Sequence, residues 1–258
     1  MFQAAWLRLV SPRFGLLITP LVAALVGAVL SLAPAAATAA TVTGSGQIAT
    51  ETRSVAEFQA ISMSVSMDLS VRQGSTASLQ VQLDDNLLSL LETAVENQSH
   101  GATLVVRWKS GASIYHRSKA KLTVVVPKLT ALSLSGSGDA LVQSFNTPSM
   151  QVAVTGSGDV RLPNLSTEEL GIRISGSGDV AADGKATKLK VSIAGSGDVR
   201  LKDLVADEVS VRIAGSGDAV VNAQKTLDVS VAGSGDVLYS GNAVVKKSVA
   251  GSGSVRQR

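Results

Sequence analysis

The sequence predicts an all-β fold, a right-handed parallel β-helix or solenoid of 18–20 residues per coil with a β-rich N-terminal cap. The first observation behind this prediction is a repeated Gly-Ser-Gly motif, with six copies reading GSGD and a seventh reading GSGS. The copies begin at Gly136, Gly156, Gly176, Gly195, Gly215, Gly233 and Gly251. Steps of 20, 20, 19, 20, 18 and 18 residues are regular enough to indicate stacked structural units.

The second observation is the alternation of residues around each motif. Apolar residues occupy every second position before it, as at Leu170, Ile172 and Ile174, which is the pattern of a half-buried strand. A shorter alternation comes after the motif, as in Val160-Arg161-Leu162, and a polar stretch such as Pro163-Asn164 ends it. Each unit therefore contains a strand, a GSGD turn, a short strand and a loop.

The third observation is that a single unit cannot bury its own apolar stripe, whereas stacked units can. Equivalent strands would pair in parallel about 4.8 Å apart, and parallel crossovers are almost always right-handed. The column expected inside the coil is Leu134, Val154, Ile174, Ile193, Ile213, Val231 and Val249. A propeller or sandwich with GSGD at hairpin tips is the alternative, but the period is short for a four-stranded blade.

Residues 1–39 predict a signal peptide. Arg8 and Arg13 form a positive n-region, residues 16–32 are mostly apolar, and the alanines of residues 35–39 fit the A-x-A cleavage rule. An uncleaved membrane anchor is the alternative, but Pro34 and the alanines follow directly and no basic stop-transfer cluster does. We therefore expect export through the inner membrane to the periplasm or to the cell surface and extracellular space, with no membrane association after cleavage.

The composition limits the classes of partner. The chain has no cysteine, which excludes disulfides and thiolate metal sites. Two of the 23 basic residues and none of the 20 acidic residues lie in residues 1–39, so cleavage leaves a net charge of +1. This near-neutral balance gives no support to a nucleic-acid partner.

The predicted domain organisation divides the exported chain into two parts of one domain. Residues 40–130 are expected to form the β-rich cap, with a long strand at residues 61–71, a turn at 72–75 and a returning strand at 79–83. Asp84 or Asp85 could cap a short helix that follows. Residues 131–258 are expected to form the solenoid, and Lys246 and Lys247 place charge on its last coil, which discourages edge-to-edge association.

The order of several segments resembles a bacterial family. They are TETRSVAEFQAISMSVSMDLSVRQG, DDNLLSLLETAVENQ, TLVVRW and LTVVVPKLTALSLSGSGDA, followed by serial GSGDV. Together they are similar to the family called putative auto-transporter adhesin, head GIN domain, over about residues 48–233. The resemblance implies an exported β-helical domain with no established activity.

Three kinds of chemistry could use the GSGD motif. A phosphate-binding loop is not expected, because strands rather than a helix flank the glycines. A cation ladder, with Ca²⁺ as its ion, would use the acids of the motif, Asp139, Asp159, Asp179, Asp198, Asp218 and Asp236. A structural corner is favoured, in which the glycines supply positive φ and the aspartate accepts backbone N–H bonds in an Asx-type turn. On this interpretation the protein has no cofactor.

The sequence favours binding over catalysis. Its only histidines, His100 and His116, lie in no metal or triad motif, so we do not expect an enzyme. The favoured function is an adhesin-like domain that binds a cell-surface glycan or an envelope protein. Its candidate ligand face is the serine column Ser137, Ser157, Ser177, Ser196, Ser216 and Ser234, although these serines could simply fill a tight corner. A polysaccharide-active enzyme that uses the Asp column and a purely structural periplasmic protein are the alternatives.

Overall fold

Strands dominate the described part of the chain. The structure is a computed structural model that describes residues 41–116 and 118–258. The predicted signal peptide at residues 1–39 lies outside the described residues. Within the described ranges, no helix has both the length and the apolar character needed to cross a bilayer.

The described residues of the N-terminal part form nine strands and one short 3₁₀ helix. The strands are β1 (Thr41–Thr43), β2 (Ile48–Arg53), β3 (Ala60–Met63), β4 (Asp68–Gln73), β5 (Ser78–Asp84), β6 (Leu91–Gln98), β7 (Gly101–Trp108), β8 (Ser113–Tyr115) and β9 (Lys121–Val126). The 3₁₀ helix is η1 (Asp85–Leu90), between β5 and β6.

The repeat region contains ten strands, several of which run through more than one side of a coil. They are β10 (Ala131–Gly136), β11 (Ala140–Gln143), β12 (Asn146–Gly156), β13 (Val160–Gly176), β14 (Val180–Gly195), β15 (Val199–Gly215), β16 (Ala219–Gly233), β17 (Val237–Ser240), β18 (Val244–Gly251) and β19 (Val255–Gln257).

The repeats stack in parallel, which confirms the predicted β-solenoid. Strand β12 pairs with β13, β13 with β14, β14 with β15 and β15 with β16, always in parallel. The solenoid has about six turns. The first glycine of each motif faces the first glycine of the next, so the GSGD turns form one continuous edge. The right-handed sense of the coil stays a prediction.

The inward column has the register that the sequence predicts. Leu134 faces Val154, which faces Ile174, and the same alignment continues to Val249. All members are buried except Val249, which is 40% exposed because it lies on the last coil. Beside it, Lys247 replaces the buried Val229 of the coil before and donates a hydrogen bond to the carbonyl oxygen of Val255 at 3.4 Å.

The stack of coils begins before residue 131. Strands β3 and β4 pair in parallel with β10 and β11 on one side and with β7 and β9 on the other. The coil of residues 60–73 is thus inserted between two coils that come later in the chain. The parallel segments that lead into the motifs, from β10 to β18, together with β3 and β7, are called the main sheet below.

Two predictions about strands in the N-terminal part were wrong, and so was the predicted cap of the short helix, which is itself present. The strand expected at residues 61–71 is interrupted at residues 64–67, where the chain turns a corner. Strand β5 does not return along β4; it pairs antiparallel with β2 and β9. The expected helix is 3₁₀, and Asp84 makes no side-chain cap to it. Instead the buried carboxylate of Asp84 accepts hydrogen bonds from the Gly46 amide and the Ser118 hydroxyl.

Candidate functional site

The two glycine columns exist because the turns are stacked very closely. A Cβ built on Gly215 would overlap the carbonyl oxygen of Gly195, and a Cβ on Gly217 would overlap the carbonyl oxygen of Gly197. Gly215 also has a φ of +144°, which side-chain-bearing residues rarely adopt. The same overlap recurs at the second glycine of every motif and at the first glycine of every motif after the first, so the backbone of one turn occupies the space where a side chain of the next would lie.

The aspartates form a ladder of hydrogen bonds that runs along the turns. In each motif one carboxylate oxygen, Oδ1, accepts a hydrogen bond from the backbone N–H of the next aspartate. The donor and acceptor pairs are Asp159 to Asp139 at 3.0 Å, Asp179 to Asp159 at 3.0 Å, Asp198 to Asp179 at 2.9 Å, Asp218 to Asp198 at 3.0 Å and Asp236 to Asp218 at 2.8 Å. The bonds therefore connect neighbouring coils, and the local Asx-type turn expected from the sequence was wrong in this respect.

The ladder extends one position beyond the predicted column at each end. Oδ1 of Asp68 lies 3.4 Å from the Asp139 amide, so the corner Val65-Ser66-Met67-Asp68 is the first rung although it lacks both glycines. At the other end Ser254 stands in the aspartate position. Its amide and its hydroxyl both donate to Oδ1 of Asp236, at 2.8 and 2.9 Å.

The second carboxylate oxygens face basic side chains at two places. Arg200 bridges Oδ2 of Asp179 at 2.8 Å and Oδ2 of Asp198 at 3.1 Å, and the Asp179 charge raises the pKa of Arg200. Arg256 lies 3.3 Å from Oδ2 of Asp236. Hydrogen bonds from the Ser254 hydroxyl and amide lower the pKa of Asp236, with a smaller effect of Arg256. Hydrogen bonds and arginines thus relieve the repulsion between stacked carboxylates.

A metal site does not emerge from this arrangement. Within residues 41–116 and 118–258, no three His, Cys, Asp or Glu side chains are grouped in a way that could hold a metal ion. Each Oδ1 of the ladder already accepts a backbone N–H. Binding of Ca²⁺ along the column stays a prediction, with its test in the Discussion.

The serine column lies on the outside of the same corner. All six serines predicted as a ligand face are exposed. From Ser157 onward, their backbone amides donate to the carbonyl oxygen of the first glycine of the preceding motif, as Ser196 does to Gly176 at 2.9 Å. Glycines, and not these serines, fill the tight corner. The serine hydroxyls are therefore available to solvent at a spacing of one coil, about 4.8 Å. Their use as a ligand face stays a prediction.

A second candidate surface, which the sequence analysis missed, is a groove of about 630 Å³ on the outward side of the main sheet. Its floor consists of small residues in register across four coils, Ala60, Ser62, Ala131, Ser133, Ala153 and Gly171. The turn between β6 and β7, with Gln98, Ser99 and His100, lines one side. The side chain of Gln59 supports that turn with a 3.1 Å hydrogen bond to the carbonyl oxygen of His100.

The other end of this groove is basic. Arg173, Lys190 and Arg212 line it, on three successive coils. Lys190 pairs with Glu169 at 2.9 Å, whereas Arg173 and Arg212 are exposed and form no ion pair with any described residue. We call the floor and these three basic residues the basic groove. The sequence does carry a signal for this groove. At the outward-facing positions of the alternating strands, equivalent positions of the earlier repeats hold small residues and those of later repeats include arginines.

The comparisons with known proteins agree with the architecture. The family model described as putative auto-transporter adhesin, head GIN domain, matches residues 57–243, which is more than half of the chain. The chain belongs to this family. The resemblance in the motif order is thereby confirmed. No curated protein matches the chain significantly.

Several solved structures are similar to this head GIN domain. A putative adhesin from Bacteroides fragilis has a TM-score of 0.75 and 24% identity, covering 84% of this chain and 100% of its own. A putative lipid binding protein from Parabacteroides distasonis has a TM-score of 0.72 and 26% identity, covering 85% and 100%. A putative adhesin from the same species has a TM-score of 0.68 and 24% identity, also covering 85% and 100%.

Proposed function

We propose that this protein is an exported, non-catalytic attachment domain that binds a polymer of the cell surface or envelope through its repeated outward faces. The observation that carries the proposal is the constant register of outward side chains over successive coils. A surface that repeats at one coil spacing suits a ligand that also repeats, because weak contacts add up along its length. Membership of an adhesin-named family supports the same class.

A lipid ligand is less well supported, although one similar structure is called a putative lipid binding protein. Burying an acyl chain requires a continuous apolar surface. Among the residues that the structure describes, the exposed large apolar side chains are Ile48, Tyr115, Val205, Leu238, Val244 and Val249. None of them lines the basic groove. A hydrated polymer therefore fits the described surfaces better than a lipid does.

The non-catalytic part of the proposal rests on the state of the aspartates. A general acid or base needs a carboxylate that is free to exchange a proton with the substrate. In the ladder, Oδ1 of each aspartate is held by the N–H of the next coil, and Arg200 engages the other oxygen of Asp179 and Asp198. We therefore assign the column to the stability of the coil.

Binding of the exported, purified protein to whole cells, envelope extracts and a panel of glycans tests the proposal. We expect saturable binding to at least one of these surfaces, with affinity that rises with ligand length. No binding to any of them would remove the attachment function. Incubation with the same polysaccharides tests catalysis: products that disappear in Asp179→Asn would overturn the non-catalytic assignment.

A further inference from the structure

We infer that the basic groove binds an acidic polysaccharide, whose carboxylate or sulfate groups pair with Arg173 and Arg212 while the sugar rings lie on the floor of small residues. The inference rests on the proposed attachment function and names the ligand class and the face that binds it. That face is distinct from the serine column at the GSGD corner.

The basic groove carries positive charge without an acidic partner. Arg173 and Arg212 stand in the same outward column, with Ser192 on the coil between them. Two coil spacings separate them, about 9.6 Å. The two lysines of the coil between them are compensated, Lys190 by Glu169 and Lys188 by Glu208. Two exposed guanidinium groups without an acidic partner are suited to anions, which they can bind with two parallel hydrogen bonds.

The basic patch covers only part of the solenoid. It begins at Arg173 and ends after Arg212, because the next coil carries Asp228 and Ser230 on the same face. The positive charge is therefore confined to one part of the solenoid, which gives an anionic ligand a defined place to bind. A pyranose residue is about as long as one coil spacing, so acidic groups on alternate sugars of an extended chain can reach both arginines.

The floor of the groove also suits a sugar ring. Its side chains are methyl or hydroxymethyl groups or hydrogen, so a flat ring can lie close to the sheet. Ser62, Ser133 and Ser192 are partly exposed there and can exchange hydrogen bonds with sugar hydroxyls. Gly171 makes room for the amide of Gln151, since a Cβ at residue 171 would overlap its Oε1. That amide makes no hydrogen bond to any described residue and lies along the groove.

The composition of the groove argues against a protein partner. The cores of protein interfaces are rich in aromatic residues and methionine. No Phe, Tyr, Trp or Met lines this groove, and its larger apolar residues, such as Ile61, Leu132 and Ile172, are buried in the coil. What the groove offers is hydroxyls, amides and positive charge, which is the chemistry that recognises an acidic sugar polymer.

The test measures binding of the exported, purified protein to immobilised polygalacturonate and chondroitin sulfate, with dextran, poly-glutamate and anionic vesicles as comparison ligands. We expect binding to at least one acidic polysaccharide, none to dextran, and weaker binding at high salt. The variant Arg173→Gln/Arg212→Gln should lose affinity by about tenfold or more, as expected for loss of charge-assisted hydrogen bonds. Ala153→Leu, which fills the floor without changing charge, should also weaken binding.

A matched control carries the same charge change outside the groove. Arg161→Gln/Arg258→Gln should bind as the original protein does, and melting temperatures should show that all variants fold. Equal losses in both double variants, equal binding to poly-glutamate or vesicles, or an Arg173/Arg212 variant that binds normally would overturn the inference. Binding to cells without binding to any acidic polysaccharide would overturn it while leaving the attachment function intact. Binding to nothing would remove both.

Discussion

The inner rungs of the solenoid and its two end rungs make the same corner with different residues. Inner rungs use GSGD, the first rung uses Val65-Ser66-Met67-Asp68, and the last uses GSGS with Ser254. In the first rung Val65 and Met67 are buried, although glycine is required at the same positions of the later rungs. The difference is explained by the turn or loop of the preceding coil that stacks on each corner.

The glycines are required by the preceding turn. From the second motif onward, each motif glycine faces the backbone of the preceding GSGD turn, which leaves no space for a Cβ. In the first motif Gly138 meets the Met67 backbone in the same way, whereas a Cβ on Gly136 would lie 3.4 Å from the Val65 carbonyl oxygen.

The corner of the first rung instead follows the segment that joins β7 to β9. On either side of that segment, the Ser64 amide donates to the carbonyl oxygen of Val106 in β7, and the Asp68 amide donates to that of Ala120 just before β9. Because that segment leaves the stack, apolar side chains can fill the corner.

The aspartates are required by the following turn. Each Oδ1 accepts the N–H of the next rung, so an acid is useful only where another rung follows. Within the described residues no rung follows the one that contains Ser254, and there the acid is replaced. The two halves of the GSGD motif thus serve opposite neighbours.

The largest effect is expected from alanine at an inner glycine. Gly217→Ala should lower stability by about 3 kcal/mol, because its Cβ overlaps a backbone oxygen that cannot move away. Gly215→Ala should cost about 1 kcal/mol more, because it also needs a positive φ. Chemical denaturation measures both.

Gly111→Ala is the control for this comparison. Gly111 has a φ of +83° but nothing within 4 Å of an added Cβ. Gly111→Ala should therefore lose only the stability that backbone strain costs, about 1 kcal/mol. If all three variants lose the same amount, stacking of the turns is not the reason for the glycines.

A smaller effect is expected from removal of an inner aspartate. Asp198→Ala leaves the Asp218 amide without its acceptor and should cost about 1–2 kcal/mol, whereas Asp198→Asn keeps an oxygen there and should cost less. Ser254→Ala should cost less than about 1 kcal/mol, because no following amide depends on it. Denaturation midpoints compare the three, and a larger loss for Ser254→Ala than for Asp198→Ala would reverse the proposed direction of the ladder.

The sequence could predict some parts of this structure and not others. The motif period and the alternation identified the coil and its inward column, because the periodic residues pack only against their own equivalents. The coil of residues 60–73 was not identified, since its corner lacks glycine and its neighbours come from later parts of the chain. The basic groove was missed for a related reason: Arg173 and Arg212 become neighbours only through the register, which depends on coil lengths and bulges.

The next smaller effect is expected on the pKa of Asp236. Its pKa in the folded protein is lowered, first by the hydrogen bond from the Ser254 hydroxyl. A lowered folded-state pKa means that Asp236 stabilises the fold above the pKa of the unfolded chain, about 3.9, and that this contribution is lost as the pH falls through the folded-state value. In Ser254→Ala the pKa of Asp236 should move up towards its ordinary value, as measured by NMR titration. Ser234→Ala, in the same turn, should leave it unchanged, and an equal rise in both variants would contradict the assignment.

The smallest expected effect is that of a chelator, and it decides between the two interpretations of the aspartate column. If Ca²⁺ held the stacked carboxylates together, its removal with EDTA would lower the free energy of unfolding by the free energy of binding, and the melting temperature would fall as a result. The ladder instead has its Oδ1 atoms on backbone amides, and Arg200 and Arg256 compensate three of the remaining oxygens. We therefore expect the same melting temperature with EDTA and with added Ca²⁺. A decrease with EDTA that Ca²⁺ reverses, and that is absent in Asp198→Asn, would establish the cation ladder.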